Sequence, residues 1–527
     1  MSEPARTPGK LVALRLQHKN AYDAVAMLAY LILVYIWGLW IYPLGRDFHH
    51  LAVAGAEMPN LARQLFALEV QAFGANPVGY HLVNCLLMYA CMLLIFHFVN
   101  NAAKGLWWFG TFAACVFMSN PVHSESMHNL SGVADLVPCL AALVVLNAVV
   151  LAAHMGGAVR YALAVAAMGA HIVFFREDFV VLIAAILYPV AVKARFNKAY
   201  VFVLVLAPVI LGLGLVLAGV VTFPTFASSY LVVYPIGFLP ETLAAYHANT
   251  AYAWGAAVGA VLVAWLIHRK VQRPLFLYAL VSMVLTAAMT RANPVDWVHM
   301  VGGGRLLVAN AFFVLALVIV IFRIMDNPKW RLPMISLTTM FVVIFFAMQW
   351  RSMRAWHDAG VQVKSFQVEA LRASESVGGT PIGVLPDYQF RLGAPVCLSD
   401  AIRFDTPFSE AVPHVSLLPL HGNADGEQTL AIRAWSDTGG SVVLTSPAKA
   451  NPFRFFPHAP FLADGEEFVL PPAVAGHSPD VRVRLTEQTP DHITVEILGE
   501  GLPTVLVPRD LSGKETNSQA EPDADNQ

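Results

Sequence analysis

Short polar stretches interrupt an otherwise apolar chain, and each carries side chains able to hold a charge or a proton. Gly45-Arg46-Asp47-Phe48-His49-His50 sets a carboxylate directly at the outer end of the first apolar run. In Asn120-Pro121-Val122-His123-Ser124-Glu125, His123 and Glu125 lie two apart in a polar turn, near enough to hydrogen-bond a bound group or each other. Arg176-Glu177-Asp178 groups opposite charges, which suits a local ion network where an unpaired charge at membrane depth would cost ~2.5–3.5 kcal/mol. Arg305 follows Gly302-Gly303-Gly304, where free backbone amides and a helix N-terminus suit an anion, and its planar guanidinium binds one with two hydrogen bonds. Arg63 is a weaker candidate for the same task. A metal would need more ligands than His123 and Glu125 supply; His128 and Asp135 are merely nearby, and none stands at recognisable metal spacing. Each group also has a plainer reading. Asp47 could cap a short helix at Phe48–Ala56, Arg305 could snorkel to an interface, Arg63 could sit on the wet side of an amphipathic helix, and the 176–178 charges could pair for structure alone.

The elements that must position these groups are membrane spans. The 527 residues are 57% hydrophobic and 13% charged, roughly half the ~25% charge content of a soluble chain, so a soluble protein is excluded. A span needs about twenty apolar residues to cross a ~30 Å hydrocarbon core. Spans are predicted near 22–44, 81–99, 106–119, 134–153, 160–175, 179–193, 199–221, 251–268, 275–290, 306–323 and 332–350, about eleven in all. With the N-terminus cytoplasmic, the inner segments hold fifteen Lys and Arg residues, from Arg6 to Arg331. The outer loops hold five: Arg46, Arg63, Arg176, Arg291 and Arg305. The positive-inside rule then fixes the orientation. The spans 106–119, 160–175 and 179–193 cover only ~21–24 Å at helical rise. Their polar outer ends therefore stop within the hydrocarbon depth, which requires protein or a water-filled cavity beside them. A polar cavity open to the outer side is expected.

The segment 1–21 reads as a cytoplasmic leader to a retained first helix, because no small-residue cleavage site follows the apolar run. In the outer loop 45–80, Leu61, Leu65, Leu68 and Ala72 share one helical face, with Arg63, Gln64, Glu69 and Gln71 available to the polar side. That is the pattern of a helix lying in the membrane interface. Residues 351–375 read as a connecting helix. Residues 376–510 read as a soluble β-rich domain beyond the membrane, with strands at Thr429–Trp435, Ser441–Thr445, Val481–Thr486, His492–Leu498 and Thr504–Val507 and turns at Gly439-Gly440 and Thr489-Pro490-Asp491. Residues 511–527 are polar, acidic and expected to be disordered. Four of the five cysteines lie in apolar segments and Cys397 stands alone, so no disulfide framework is available. The fold class is thus a polytopic α-helical membrane protein with a C-terminal β-rich domain.

Three motifs, in order, resemble a known family. Asn76-Pro77-Val78-Gly79-Tyr80-His81-Leu82-Val83-Asn84, Asn120-Pro121-Val122-His123-Ser124-Glu125-Ser126 and Gly304-Arg305-Leu306-Leu307, followed by Arg351, Trp356 and Asp358, look like the transmembrane and tetratricopeptide-containing O-mannosyltransferases and their bacterial relatives. These are C-type membrane glycosyltransferases. The resemblance covers roughly residues 20–370. It departs at Arg63-Gln64-Leu65, where the family often has Arg-Pro-Leu, at Gly132-Val133-Ala134-Asp135, where further charges are usual, and after residue 370, where no tetratricopeptide repeats follow.

The resemblance implies transfer of a sugar from a polyprenyl-phosphate donor to a lipid-linked, glycan or protein acceptor at the outer face of a bacterial inner membrane. Such a transfer needs a carboxylate to take the acceptor's proton or hold the acceptor, and cations to stabilise the leaving phosphate. Asp47 is the implied base, with Glu57 and Glu69 as second carboxylates. Glu125 and His123 would meet the acceptor, Arg305 and Arg63 the donor phosphate, and Arg176, Glu177 and Asp178 the cavity wall. No cofactor and no nucleic-acid partner is implied, and a metal requirement stays open. The rivals are an oligosaccharide polymerase or ligase, a transporter of an envelope precursor, which would show paired broken helices, and a non-catalytic membrane scaffold.

Overall fold

The computed structural model describes residues 19–56, 58–103, 108–120, 123–155, 157–175, 180–192, 273–288, 306–325 and 327–376, the isolated residues 206 and 210, residues 406–408, and the strands given below. The described helices are α1 (Lys19–Tyr35), continued by a 3-10 turn Ile36–Trp40, α2 (Arg46–Ala52), α3 (Asn60–Phe73), α4 (Pro77–Ala103), α5 (Trp108–Ser119), α6 (Ser124–His128), α7 (Val133–Met155), α8 (Ala158–Phe174), α9 (Val180–Ala191), α10 (Arg273–Ala288), α11 (Leu307–Met325) and α12 (Pro328–Ser376). The chain is mostly helical here. Among the described residues, five segments are long and apolar enough to cross a membrane: Ala21–Trp40, Pro77–Ala103, Leu130–Met155, Leu307–Met325 and Pro328–Val361. Shorter apolar helices lie at Phe109–Ser119, Ala158–Phe174, Val180–Ala191 and Pro274–Thr286. The predicted spans 199–221 and 251–268 fall almost entirely outside the described residues.

Local chemistry explains the helix starts. Asn76 and Asn327 accept the amides of Val78 and Lys329 with their side-chain oxygens, each at 3.1 Å, and Pro77 and Pro328 follow directly. Asn at the N-cap and Pro at the first helical position are the preferred pair, because the proline's missing N–H is one that a helix start leaves unpaired anyway. The expected connecting helix 351–375 is not a separate element. It continues the last span without a break, in a helix of 49 residues.

The helices are inverted relative to those of a protein in water. On α4, Leu82 and Leu86 are 49% and 57% exposed while His81 and Asn84 are buried. On α12, Leu332 and Val343 face outward and Thr338 and Gln349 face inward. Apolar residues out and polar residues in is the arrangement lipid selects, since a polar side chain facing hydrocarbon is costly.

The chain divides into two compact units. One comprises Met1–Leu39, Met58–Phe66 and Gly79–Met353; the other comprises Trp40–Glu57, Ala67–Val78 and Arg354–Gln527. The core of the first is a continuous cluster drawn from α1 and from α4 to α12, including Phe98, Phe117, Tyr188, Leu143 and Phe312.

The second unit contains α2 and the strands β1 (Ile382–Pro386), β2 (Gln389–Arg391), β3 (Ala394–Val396), β4 (Ser416–His421), β5 (Thr429–Ser436), β6 (Gly439–Thr445), β7 (Arg454–Phe455), β8 (Glu467–Leu470), β9 (Val481–Gln488) and β10 (His492–Leu498). One sheet has the order β5-β6-β10-β9-β8, all neighbours antiparallel. Gly439 and Gly440, expected at a turn, open β6, where Gly439 pairs with Ser436 at the end of β5 and with Leu498 of β10. Thr504–Val507 and the 511–527 tail lie outside the described residues.

A further correction concerns α3. Its buried residues are Ala62, Phe66 and Glu69, while Leu61 and Leu68 are exposed. Leu61 and Leu68 of the leucine stripe face outward and Leu65 is half-exposed. Glu69 is on the inward side and not on the polar face.

Candidate functional site

The His123–Glu125 turn is held by polar side chains from several helices of the first unit. Asn310, one turn into α11, bonds to it. Its amide nitrogen donates to the Phe117 carbonyl at 3.1 Å and pairs with His123 Nε2, and its oxygen accepts from the Asn120 amide at 3.1 Å. His123 also packs tilted against Phe117, ring centroids 5.5 Å apart.

A second set closes the other side. Gln349 of α12 donates to the Tyr35 hydroxyl at 3.0 Å, and Tyr35 donates to the Met118 carbonyl at 3.1 Å. Ser352 donates to Ser124 at 2.9 Å. Tyr30 and Ser119 share a bond of 2.7 Å.

The turn is also tied to the 76–84 motif. Asn84 donates to the Asn129 carbonyl at 2.8 Å, and Ser126 donates to Asp135 at 2.8 Å. Gly132 makes this closeness possible. A Cβ there would run into the Ser126 carbonyl oxygen and lie 2.7 Å from Asn84 Nδ2, so no larger residue fits without moving the turn. The 76–84 motif is thus bonded to Asn129, three residues beyond the Asn120–Ser126 motif, with α11 and α12 supplying further bonds to the turn and α1 bonded to α12 through Tyr35 and Gln349.

Within this assembly His123 and His128 are buried. Burial pushes both imidazoles down to about 3, with His81 adding to the effect at His128. Both rings are neutral near pH 7, since a desolvated imidazolium is disfavoured. His123 Nδ1 has no hydrogen-bond partner among the described residues. Glu125 is half-buried in the first turn of α6. The arrangement can therefore present a carboxylate on a short helix backed by neutral, hydrogen-bonded groups.

No family model and no curated protein matches the chain. Among solved structures, ArnT from Cupriavidus metallidurans bound to undecaprenyl phosphate is similar over 90% of this chain and 97% of that one, at 13% identity and a TM-score of 0.41. A likeness that loose settles neither fold nor activity.

Asp47 belongs to the second unit. Gly45 turns the chain there at φ 50°, a conformation glycine adopts at no steric cost. Asp47 then lies in the first turn of α2, buried, with its carboxylate accepting the Leu44 amide at 3.3 Å. The short helix expected at Phe48–Ala56 is Arg46–Ala52. The loop before it is anchored by Tyr42, whose hydroxyl lies 2.6 Å from Gln367 Oε1 and 2.9 Å from the Phe408 carbonyl. Gly360 passes so near that a Cβ would lie 2.9 Å from the Tyr42 nitrogen.

Of the other candidates, Glu69 is 2% exposed, and neither carboxyl oxygen has a hydrogen-bond partner among the described residues. Burial pushes it up to about 8. Arg63 is exposed on α3. Trp356 is fully buried, Arg351 is exposed, and Asp358 is exposed beside His357 at 3.7 Å. Arg305, Arg176, Glu177, Asp178 and Glu57 lie outside the described residues. Sequence reasoning missed Asn310, Gln349, Tyr35 and Asn84 as site members. The signal was there: each is a polar group inside an apolar helix, which membrane proteins keep only where it is paired or used.

Proposed function

We propose that the chain is a membrane glycosyltransferase of the C-type class, moving a sugar from a polyprenyl-phosphate donor to a lipid-linked, glycan or protein acceptor at the outer face of a bacterial inner membrane. One observation carries the reading. The His123–Glu125 turn, the centre of the family resemblance, is also where polar side chains from α1, α4, α11 and α12 converge inside apolar helices. So many polar groups at depth are costly unless a task retains them.

In this reading Asp47 takes the acceptor proton, or holds the acceptor, as the acceptor oxygen attacks the anomeric carbon. The bond from that carbon to the phosphate oxygen breaks, and polyprenyl phosphate leaves with the electron pair. Arg305 and Arg63 stabilise the leaving phosphate, and Glu125 orients the acceptor through its hydroxyls. His123, buried and neutral, holds the turn. Arg176, Glu177 and Asp178 form the cavity wall. About eleven spans, a cytoplasmic N-terminus and an outer β-rich domain complete the proposal, supported by the basic bias of the inner segments.

The test is product release. Purified full-length chain incubated with a polyprenyl-phosphate hexose and an envelope lipid extract should liberate polyprenyl phosphate, measured by mass spectrometry. Absence of release across the common hexoses, with membrane insertion intact, favours the scaffold reading. Donor flux across vesicles without release favours the transporter.

A further inference from the structure

We propose that Gln349 is a positioning residue for Glu125; its effect on chemistry, though not its geometry, rests on the glycosyltransferase reading. Glu125 rides in the first turn of α6, a helix of five residues, too short to hold its own direction because a helix this length is not stable alone. One side chain meets both of its ends. Gln349 Oε1 lies 3.4 Å from Ser124 Oγ, and Gln349 Nε2 lies 3.4 Å from His128 Nε2. The same nitrogen donates to Tyr35 at 3.0 Å, and Ser352, on the same face of α12, donates to Ser124 at 2.9 Å.

The polarity of this chain of bonds is forced from one end. The Met118 carbonyl can only accept, so the Tyr35 hydroxyl donates to it and its oxygen is left to accept from Gln349. Gln349 Nε2 therefore faces Tyr35 and His128, and Oε1 faces Ser124. His128 accepts on Nε2, which requires the neutral ring. Donation runs from Ser352 through Ser124 and Gln349 to Tyr35 and Met118. An uncharged side chain of this length with a donor on one side and an acceptor on the other is an amide or a protonated carboxyl. Neither Met nor an ionised Glu can do it. The face of α12 thus fixes the seat of α6 and, through it, the direction in which Glu125 is presented.

Purified full-length wild type, Gln349→Met and Gln349→Glu are compared in detergent. The first readout is the rate of carbodiimide labelling at Glu125, by peptide mass spectrometry, relative to the exposed Asp358. The ratio should shift in Gln349→Met at every pH. In Gln349→Glu it should match wild type near about pH 5, where a protonated carboxyl donates as the amide does, and match Gln349→Met near about pH 8. The second readout is release of polyprenyl phosphate from a polyprenyl-phosphate hexose. Turnover should fall by roughly tenfold or more, since a displacement of about 1 Å can cost ~10²-fold, with KM for the donor little changed and the same recovery at low pH. If Gln349→Met fails to insert, the two pH values of Gln349→Glu decide. An unchanged labelling ratio in both variants overturns the inference whatever the activity. A shifted ratio in a protein whose wild type releases nothing sustains the positioning role and overturns the glycosyltransferase reading.

Discussion

Replacing Asp47 by Asn removes basicity but keeps the oxygen that accepts the Leu44 amide, and Asn serves a helix start about as well as Asp. If Asp47 is the base, Asp47→Asn should insert and bind donor normally while turnover falls by ~10²–10⁴-fold. Near-normal turnover would assign it to the local turn and move the search to Glu125, Glu69 and Glu57. Two of the buried titratable groups, Glu69 and His123, act on stability in opposite senses. Burial raises Glu69 to about 8, so the folded protein binds this proton more tightly than the unfolded chain, whose carboxyl titrates near about 4.3. Its contribution is full below about pH 4.3 and is lost as the pH rises towards 8. His123 is lowered to about 3, so its contribution is full above about pH 6.5 and is lost as the pH falls towards 3. Thermal unfolding of the purified chain between about pH 5 and pH 8 should therefore show an alkaline loss of Tm that Glu69→Gln reduces. Parallel slopes for the two proteins would mean that Glu69 ionises without cost.

At the scale of elements, the apolar runs were legible because span length and the Asn-Pro starts are local signals. The helix at Asn60–Phe73 was legible from its periodicity. Its buried face was not. An amphipathic pattern shows that two faces differ, but Leu61 and Leu68 of α3 turn outward, and that leaves Glu69 on the inner side. The network around α6 was hidden for a different reason. Asn310 and Gln349 are single polar residues in long apolar helices, and no spacing along the chain pairs either with residue 123 or 124; only packing does. Gly132 is the element-scale test of that packing. A Cβ would strike the Ser126 carbonyl and crowd Asn84, so Gly132→Ala should destabilise the chain by about 1–3 kcal/mol, as overpacking usually does. It should also depress turnover more than an equally destabilising change in the core, such as Leu143→Ala. Equal losses of turnover at matched stability would separate the 132 contact from the site.

For the whole molecule, the proposed arrangement in the membrane rests on charge. With the odd number of spans expected from the sequence, a basic inner side would put the C-terminal segment outside the cytoplasm. A reporter fused after residue 380 should be active only if it is one that works outside; activity of a cytoplasmic reporter there would overturn the topology and the outer-facing site with it. The central claim is that the molecule transfers sugar from a lipid phosphate, and its most direct test is made in the cell. Cell-envelope glycans and lipid-linked intermediates are compared by mass spectrometry in strains lacking the gene, carrying it, and carrying only Asp47→Asn. Loss of one defined sugar from an envelope glycan or lipid, with its polyprenyl-phosphate donor accumulating, should appear in the first and third strains and be absent in the second. Identical glycan and intermediate profiles in all three would contradict the account.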